Sequence, residues 1–270
     1  MGDEQCADVG PDPRTWRWWR LLCSIAVLNL GLWCWTAATV EARGVTALQL
    51  GLCGIYVAVC AFRSVFPRVD LERWCLIDHP LSSMALGRSC ATVAEVAFAA
   101  QTAIVVNALF RSAGLSWPAT LAWLIIPTLF TAQLFCWHAV ITLNQRSHAI
   151  ENSLWGGTYG LVAIGLALAW PRLDGLEAGL AGAGVVFGGA FAAFIAIIDV
   201  PMYLARWRAS EPHGVERPAS LSAGFRDAVQ RRHATDDFAV WRSEVAWMTG
   251  YFSIAVWLSI GLVHVTDRIM

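Results

Sequence analysis

Long apolar runs separated by short polar connections set the pattern of this chain. Seven of the runs approach the roughly 20 residues that a helix needs to cross the hydrocarbon core of a bilayer. They fall at residues 21–40, 45–62, 89–110, 119–143, 154–171, 176–200 and 245–265. The pattern therefore predicts an all-α, polytopic membrane protein. Residues 1–20 read as a polar tail, residues 21–266 as one seven-helix domain and residues 207–240 as a long loop. The first run does not read as a cleavable leader: it is too long, no small-x-small site closes it, and Trp33 and Trp35 stand where one would be.

Arginine placement predicts the orientation. With the N-terminus in the cytosol, only Arg43, Arg111, Arg172 and Arg268 fall outside, and the other fifteen of nineteen fall inside. Positively charged loops stay on the cytosolic side, so the C-terminus is expected outside. That polarity excludes a seven-span receptor, whose N-terminus would be external. The expected location is the plasma membrane or, in a bacterium, the inner membrane.

Composition changes the picture in two ways. At 57% hydrophobic and 14% charged residues the chain is far from a soluble domain, and nothing in it suits a nucleic-acid partner. All nineteen basic residues are Arg and none is Lys. Chemistry that needs a Lys amine, such as a retinal or pyridoxal Schiff base or a phosphate-binding loop, is thereby excluded.

Other features carry structural expectations. Leu71, Trp74, Cys75 and Asp78 fall at helical spacing, as do Phe225, Ala228 and Val229 with Arg226, Arg231 and Arg232 beside them. Both stretches read as short helices lying at the inner interface. Gly175-xxx-Gly179 and Gly184-xxx-Gly188 predict close packing within the bundle, and Pro127 and Pro201 predict a bend or a stop. Six of the eight Cys lie within the spans, with Cys6 and Cys75 on the cytosolic side, so no disulfide is expected and the buried thiols read as small hydrophobes.

The candidate chemistry lies in ionisable residues within apolar runs, each costing at least about 2.5–3.5 kcal/mol. Counting about 1.5 Å per residue from the Arg anchors, Glu95, His138 and Asp199 lie roughly 10–12 Å in from one surface, with His148, Glu151 and Glu244 nearer the boundary. Stripes reinforce this: Arg88, Thr92 and Glu95; His138, Thr142 and Gln145; His148, Glu151 and Asn152. Gln101, Asn107 and Gln133 extend the polar lining. Structural explanations compete, including a Glu95–Arg88 pair, a capping role for Glu151 and Asn152, and Asp199 bonding backbone freed by Pro201.

These residues point to an integral membrane enzyme acting on a hydrophobic lipid or isoprenoid substrate drawn from the surrounding lipids. Glu95 and Asp199 would serve as acid and base with His138 as a further proton-transfer group and Glu151 beside them. A metal-assisted variant would use His138, His148, Glu151 and Glu244 as ligands for iron, zinc or manganese. The competing class is a proton-coupled transporter or channel.

Overall fold

The computed structural model describes residues 12–210 and 217–270. Cys6 and most of the polar tail lie outside the described residues. Within them the helices are α1 (Pro13–Thr39), α2 (Gly44–Val65), α3 (Met84–Ser112), α4 (Ser116–Leu121), α5 (Ile125–Thr142), α6 (Gln145–Ala169), α7 (Gly175–Phe194), α8 (Val200–Ser210), α9 (Leu221–Gln230), α10 (Phe238–Gly250) and α11 (Val256–Ile269). Seven segments are long and apolar enough to cross a membrane: α1, α2, α3, α4 with α5, α6, α7 with α8, and α10 with α11. The chain is an all-α, multi-pass membrane bundle.

Burial is inverted relative to a soluble protein. Helix α3 is the hub, packed on α2, α5 and α11, because its Ala91, Ala94, Ala97, Ala99 and Ala103 let neighbours approach. Peripheral helices turn bare apolar side chains outward, among them Leu161, Val27 and Ile197. Of the small-residue pairs on α7, Gly184 and Gly188 pack closely: a Cβ on Gly184 would meet Leu166, and one on Gly188 would meet Tyr159 and Ala163, all on α6, whereas a Cβ on Gly175 or Gly179 would meet nothing within 4 Å.

Four boundaries differ from the sequence expectation, each for a local reason. Helix α1 begins at Pro13, with the Asp12 side chain accepting from the Arg14 backbone N–H as its cap. Pro127 does not bend its span, because it falls in the first turn of α5, where a missing N–H costs little; a 3-10 turn at Ala122–Leu124 precedes it. Pro201 does not stop its span either. A π-helical turn at Ile195–Asp199 precedes it and the helix continues to Ser210. Helix α6 begins at Gln145, nine residues earlier than expected, because Leu143 adopts a left-handed conformation (φ 53°) and Asn144 caps the next helix by accepting from Arg146 N–H. The connection between α5 and α6 is thus two residues long.

The first loop is not the interfacial helix that its spacing suggested. Arg73, at φ 59°, turns the chain between strands β1 (Arg68–Val69) and β2 (Trp74–Cys75), which pair antiparallel. Strand β3 (His233–Ala234) joins β2 in parallel. The buried Arg73 side chain holds this turn by donating to the Asp70 carbonyl, the Asp227 carboxylate (3.0 Å) and the Val140 carbonyl at the end of α5 (2.8 Å). The second stretch does form a helix, α9, which seats Gly224 and Ala228 inward.

Gly224 matters for that seat, since a Cβ there would lie 2.1 Å from the Ile141 carbonyl oxygen. Gly224→Ala is expected to lift α9 off α5 and lower stability by about 1–3 kcal/mol. Limited proteolysis should then cut at residues 217–237 faster than in wild type.

Candidate functional site

Three residues on one stripe of α3 begin the site. Arg88, Thr92 and Glu95 are spaced at four and seven residues, about one and two turns, so their side chains stack along one face. Arg88 Nη2 donates to Glu95 Oε1 at 2.8 Å and to Gln133 Oε1 of α5 at 2.9 Å. Gln133 Nε2 donates to the other carboxylate oxygen, Oε2, at 2.5 Å. Tyr251, at the start of a second π-helical turn (Tyr251–Ala255), reaches Glu95 Oε1 at 3.5 Å. Both oxygens of Glu95 are therefore engaged, and the carboxylate is buried. The pairing with Arg88 that the sequence allowed is realised.

The α5–α6 hairpin supplies the second part. Cys136 lies seven residues before Leu143 and Glu151 seven after Asn144, so the antiparallel helices bring the two face to face. His148, one turn nearer the connection, bonds Glu151 Oε2 through Nδ1 at 2.6 Å. Donor atoms of Cys136, His148 and Glu151 all lie within 4.8 Å of one another. Cys136 and Glu151 also stand within electrostatic reach of Arg88, so the hairpin group adjoins the α3 group.

The third part comes from the π-helical turn before α8. Asp199 interacts electrostatically with His148 and Glu151, and Tyr203, one turn on, lies against the His148 ring at a centroid distance of 5.2 Å. Asp199 is only half-buried and makes no hydrogen bond among the described residues. Its neighbours Ile197 and Ile198 are exposed on the outer surface of the bundle. Of the three acids gathered here, Asp199 is the one still open.

Above this group a cleft of about 580 Å³ opens towards the loops, lined in part by Glu72, Trp74, Gln145, Arg206, Ser243 and Glu244. Gln145 precedes His148 by three residues and Arg206 follows Tyr203 by three, so the cleft stands about one helical turn above the ionisable cluster. Arg206 also covers the Tyr203 ring at 5.8 Å.

The predicted site residues thus divide. Glu95, Glu151, His148 and Asp199 converge. His138 does not: it is exposed on α5 and bonds Ser147 Oγ at 2.8 Å. Two residues along a helix is about 200° of rotation, so His138 points away from the face that carries Cys136. Glu244 lines the cleft and accepts from Ser243 at 3.2 Å, apart from the imidazoles it was expected to join as a ligand. The cap of α6 is Asn144, not Glu151 or Asn152. Gln101 and Asn107 are structural ties: Gln101 exchanges bonds with Gln49 and Ser259, and Asn107 donates to the Ala119 carbonyl. Cys136, Tyr203 and Tyr251 were missed as members of the cluster. For Cys136 the signal was its symmetry about the hairpin, hidden by starting the fifth span too late.

No protein-family model matches the chain, and neither a curated protein nor a solved structure matches it significantly.

The Arg88–Glu95 pair has a direct energetic consequence. Glu95→Gln leaves a buried guanidinium without its counter-charge and is expected to cost about 3–5 kcal/mol. The double variant Arg88→Met with Glu95→Leu should recover most of that loss. Thermal unfolding in detergent measures both.

Proposed function

We propose that this chain is an integral membrane enzyme that takes a hydrophobic substrate from the bilayer and transfers a proton to or from it at Asp199. The observation that carries the reading is the contrast among three neighbouring acids. Glu95 is locked by Arg88, Gln133 and Tyr251, and Glu151 is buried against His148, whereas Asp199 has no hydrogen-bond partner among the described residues and stands at the bundle surface. An uncommitted carboxylate held in a poorly solvated place is suited to proton transfer. The polar end of a substrate fits the cleft above, where Arg206, Glu72, Glu244 and Gln145 offer charges and hydrogen-bond partners, and its apolar part extends along the outer face near Ile197 and Ile198.

In this reading Glu95 is a positioning residue rather than the acid. Its pairing with Arg88 and Gln133 fixes α3 against α5, and hence the face on which Cys136 stands. His148 and Glu151 provide the polar wall facing Asp199. Arginine asymmetry supports a cytosolic N-terminus and a cleft opening to the cytosol. Isomerisation, cyclisation or hydrolysis of a lipid or isoprenoid falls within this chemistry.

Lipid and metabolite profiles of cells carrying the wild-type gene, no gene, or single variants test the proposal. Asp199→Asn is expected to accumulate the same precursor as the deletion, with conversion reduced at least about 100-fold, while His138→Ala behaves as wild type. A wild-type profile for Asp199→Asn overturns the reading. Were Asp199→Asn instead to abolish proton-driven solute flux in proteoliposomes with no change in lipids, the chain would be a transporter.

A further inference from the structure

The α5–α6 hairpin gathers a thiol, an imidazole and a carboxylate, the three donor types that together favour zinc. Cys136 is fully buried, Glu151 is 7% exposed, and the His148 side chain is 14% exposed. Their donor atoms fall within 4.8 Å of one another. Around a tetrahedral ion with bonds of about 2.0–2.3 Å, donors lie roughly 3.3–3.8 Å apart. Side-chain rotations of about an ångström therefore bring all three onto one centre, with no movement of the two-residue connection.

Charge balance is an independent reason to look for a cation here. Within the membrane-spanning segments Arg88 is the buried guanidinium, and Glu95 already pairs with it. Glu151 is bonded by His148 and also stands within reach of Arg88, and Asp199 has Arg206 and His148 within electrostatic reach. Three acids, Glu95, Glu151 and Asp199, thus share two guanidiniums, Arg88 and Arg206; unbalanced acids are costly away from water, and a divalent ion held at Glu151 supplies the deficit.

We propose that Cys136, His148 and Glu151 bind one divalent transition-metal ion, zinc being the ion this ligand set matches. Binding replaces the His148–Glu151 hydrogen bond with two metal bonds: the proton of that bond moves to His148 Nε2, leaving a neutral imidazole that ligates through Nδ1, and the Cys136 thiol proton is released to solvent, leaving the sulfur as thiolate. Three protein ligands leave a fourth position for water or a substrate oxygen. The role of that position rests on the enzymatic reading above, but occupancy by metal can be measured without turnover.

The experiment uses full-length protein purified in detergent through a tag free of histidine and without chelators. Elemental analysis is expected to find about one zinc per chain. Exchange with cobalt(II) should give a near-ultraviolet thiolate charge-transfer band, retained when every cysteine except Cys136 is replaced by alanine. Glu151→Gln and Cys136→Ala should each lose at least about tenfold in metal affinity, with thermal unfolding monitored alongside. Wild-type protein that holds no zinc and gives no cobalt–thiolate band overturns the proposal. So does a band that survives Cys136→Ala. Should metal be absent while Asp199→Asn still blocks conversion, the metal site falls and the enzyme stands. Should zinc be bound and Asp199→Asn convert normally, the reverse holds.

Discussion

A guanidinium taken out of water is the constraint from which the rest of this bundle follows. Arg88 is buried in α3, and such a charge persists only where partners surround it. Glu95 can serve because seven residues are close to two full helical turns. Gln133 then closes the arrangement by accepting from the guanidinium and donating to the carboxylate, which ties α5 to α3. Tyr251 adds the last span. A polar knot thus sets the relative placement of three spans whose lipid-facing apolar surfaces could not.

From that fixed frame the asymmetry among the acids follows. Helix α5 presents Cys136 three residues after Gln133, on the same face, and the short connection to α6 leaves Glu151 no choice but to stand opposite. Asp199 arrives from a helix whose Val186, Phe187, Ile197 and Ile198 are exposed. The π-helical turn that ends at Asp199 widens the helix just ahead of Pro201, a device that often re-aims a side chain at functional sites. A second such turn begins at Tyr251. Both local irregularities thus bear polar groups of the cluster, where backbone regularity yields to chemistry.

The span pattern was legible because hydrocarbon tolerates little else: seven apolar runs predict seven helices, and depth along each follows from the rise per residue. Similar depths for Glu95 and Asp199 could be counted from Arg88 and Arg206. What depth could not give was direction. His138 and Cys136 lie at nearly the same height on one helix, yet face opposite ways, and only the position of Gln133 and the start of α6 decide between them. The loop before α3 misled for another reason. Its apolar spacing suited a helix, but the contacts that hold Arg73 in a left-handed turn come from Val140 and Asp227, remote in sequence. Tertiary contacts of that kind leave no periodic trace.

Of the three carboxylates gathered inside this bundle, Glu95 and Glu151 are sealed by partners and Asp199 is not. A lipid-soluble carbodiimide, which reacts with protonated carboxyl groups reached from the bilayer, tests it most directly. After brief treatment of the protein in lipid vesicles, peptide mass spectrometry should find the adduct on Asp199 and leave Glu95 and Glu151 unmodified. An adduct on Glu95 or Glu151, with Asp199 spared, would mean that the sealed and open carboxylates are assigned the wrong way round.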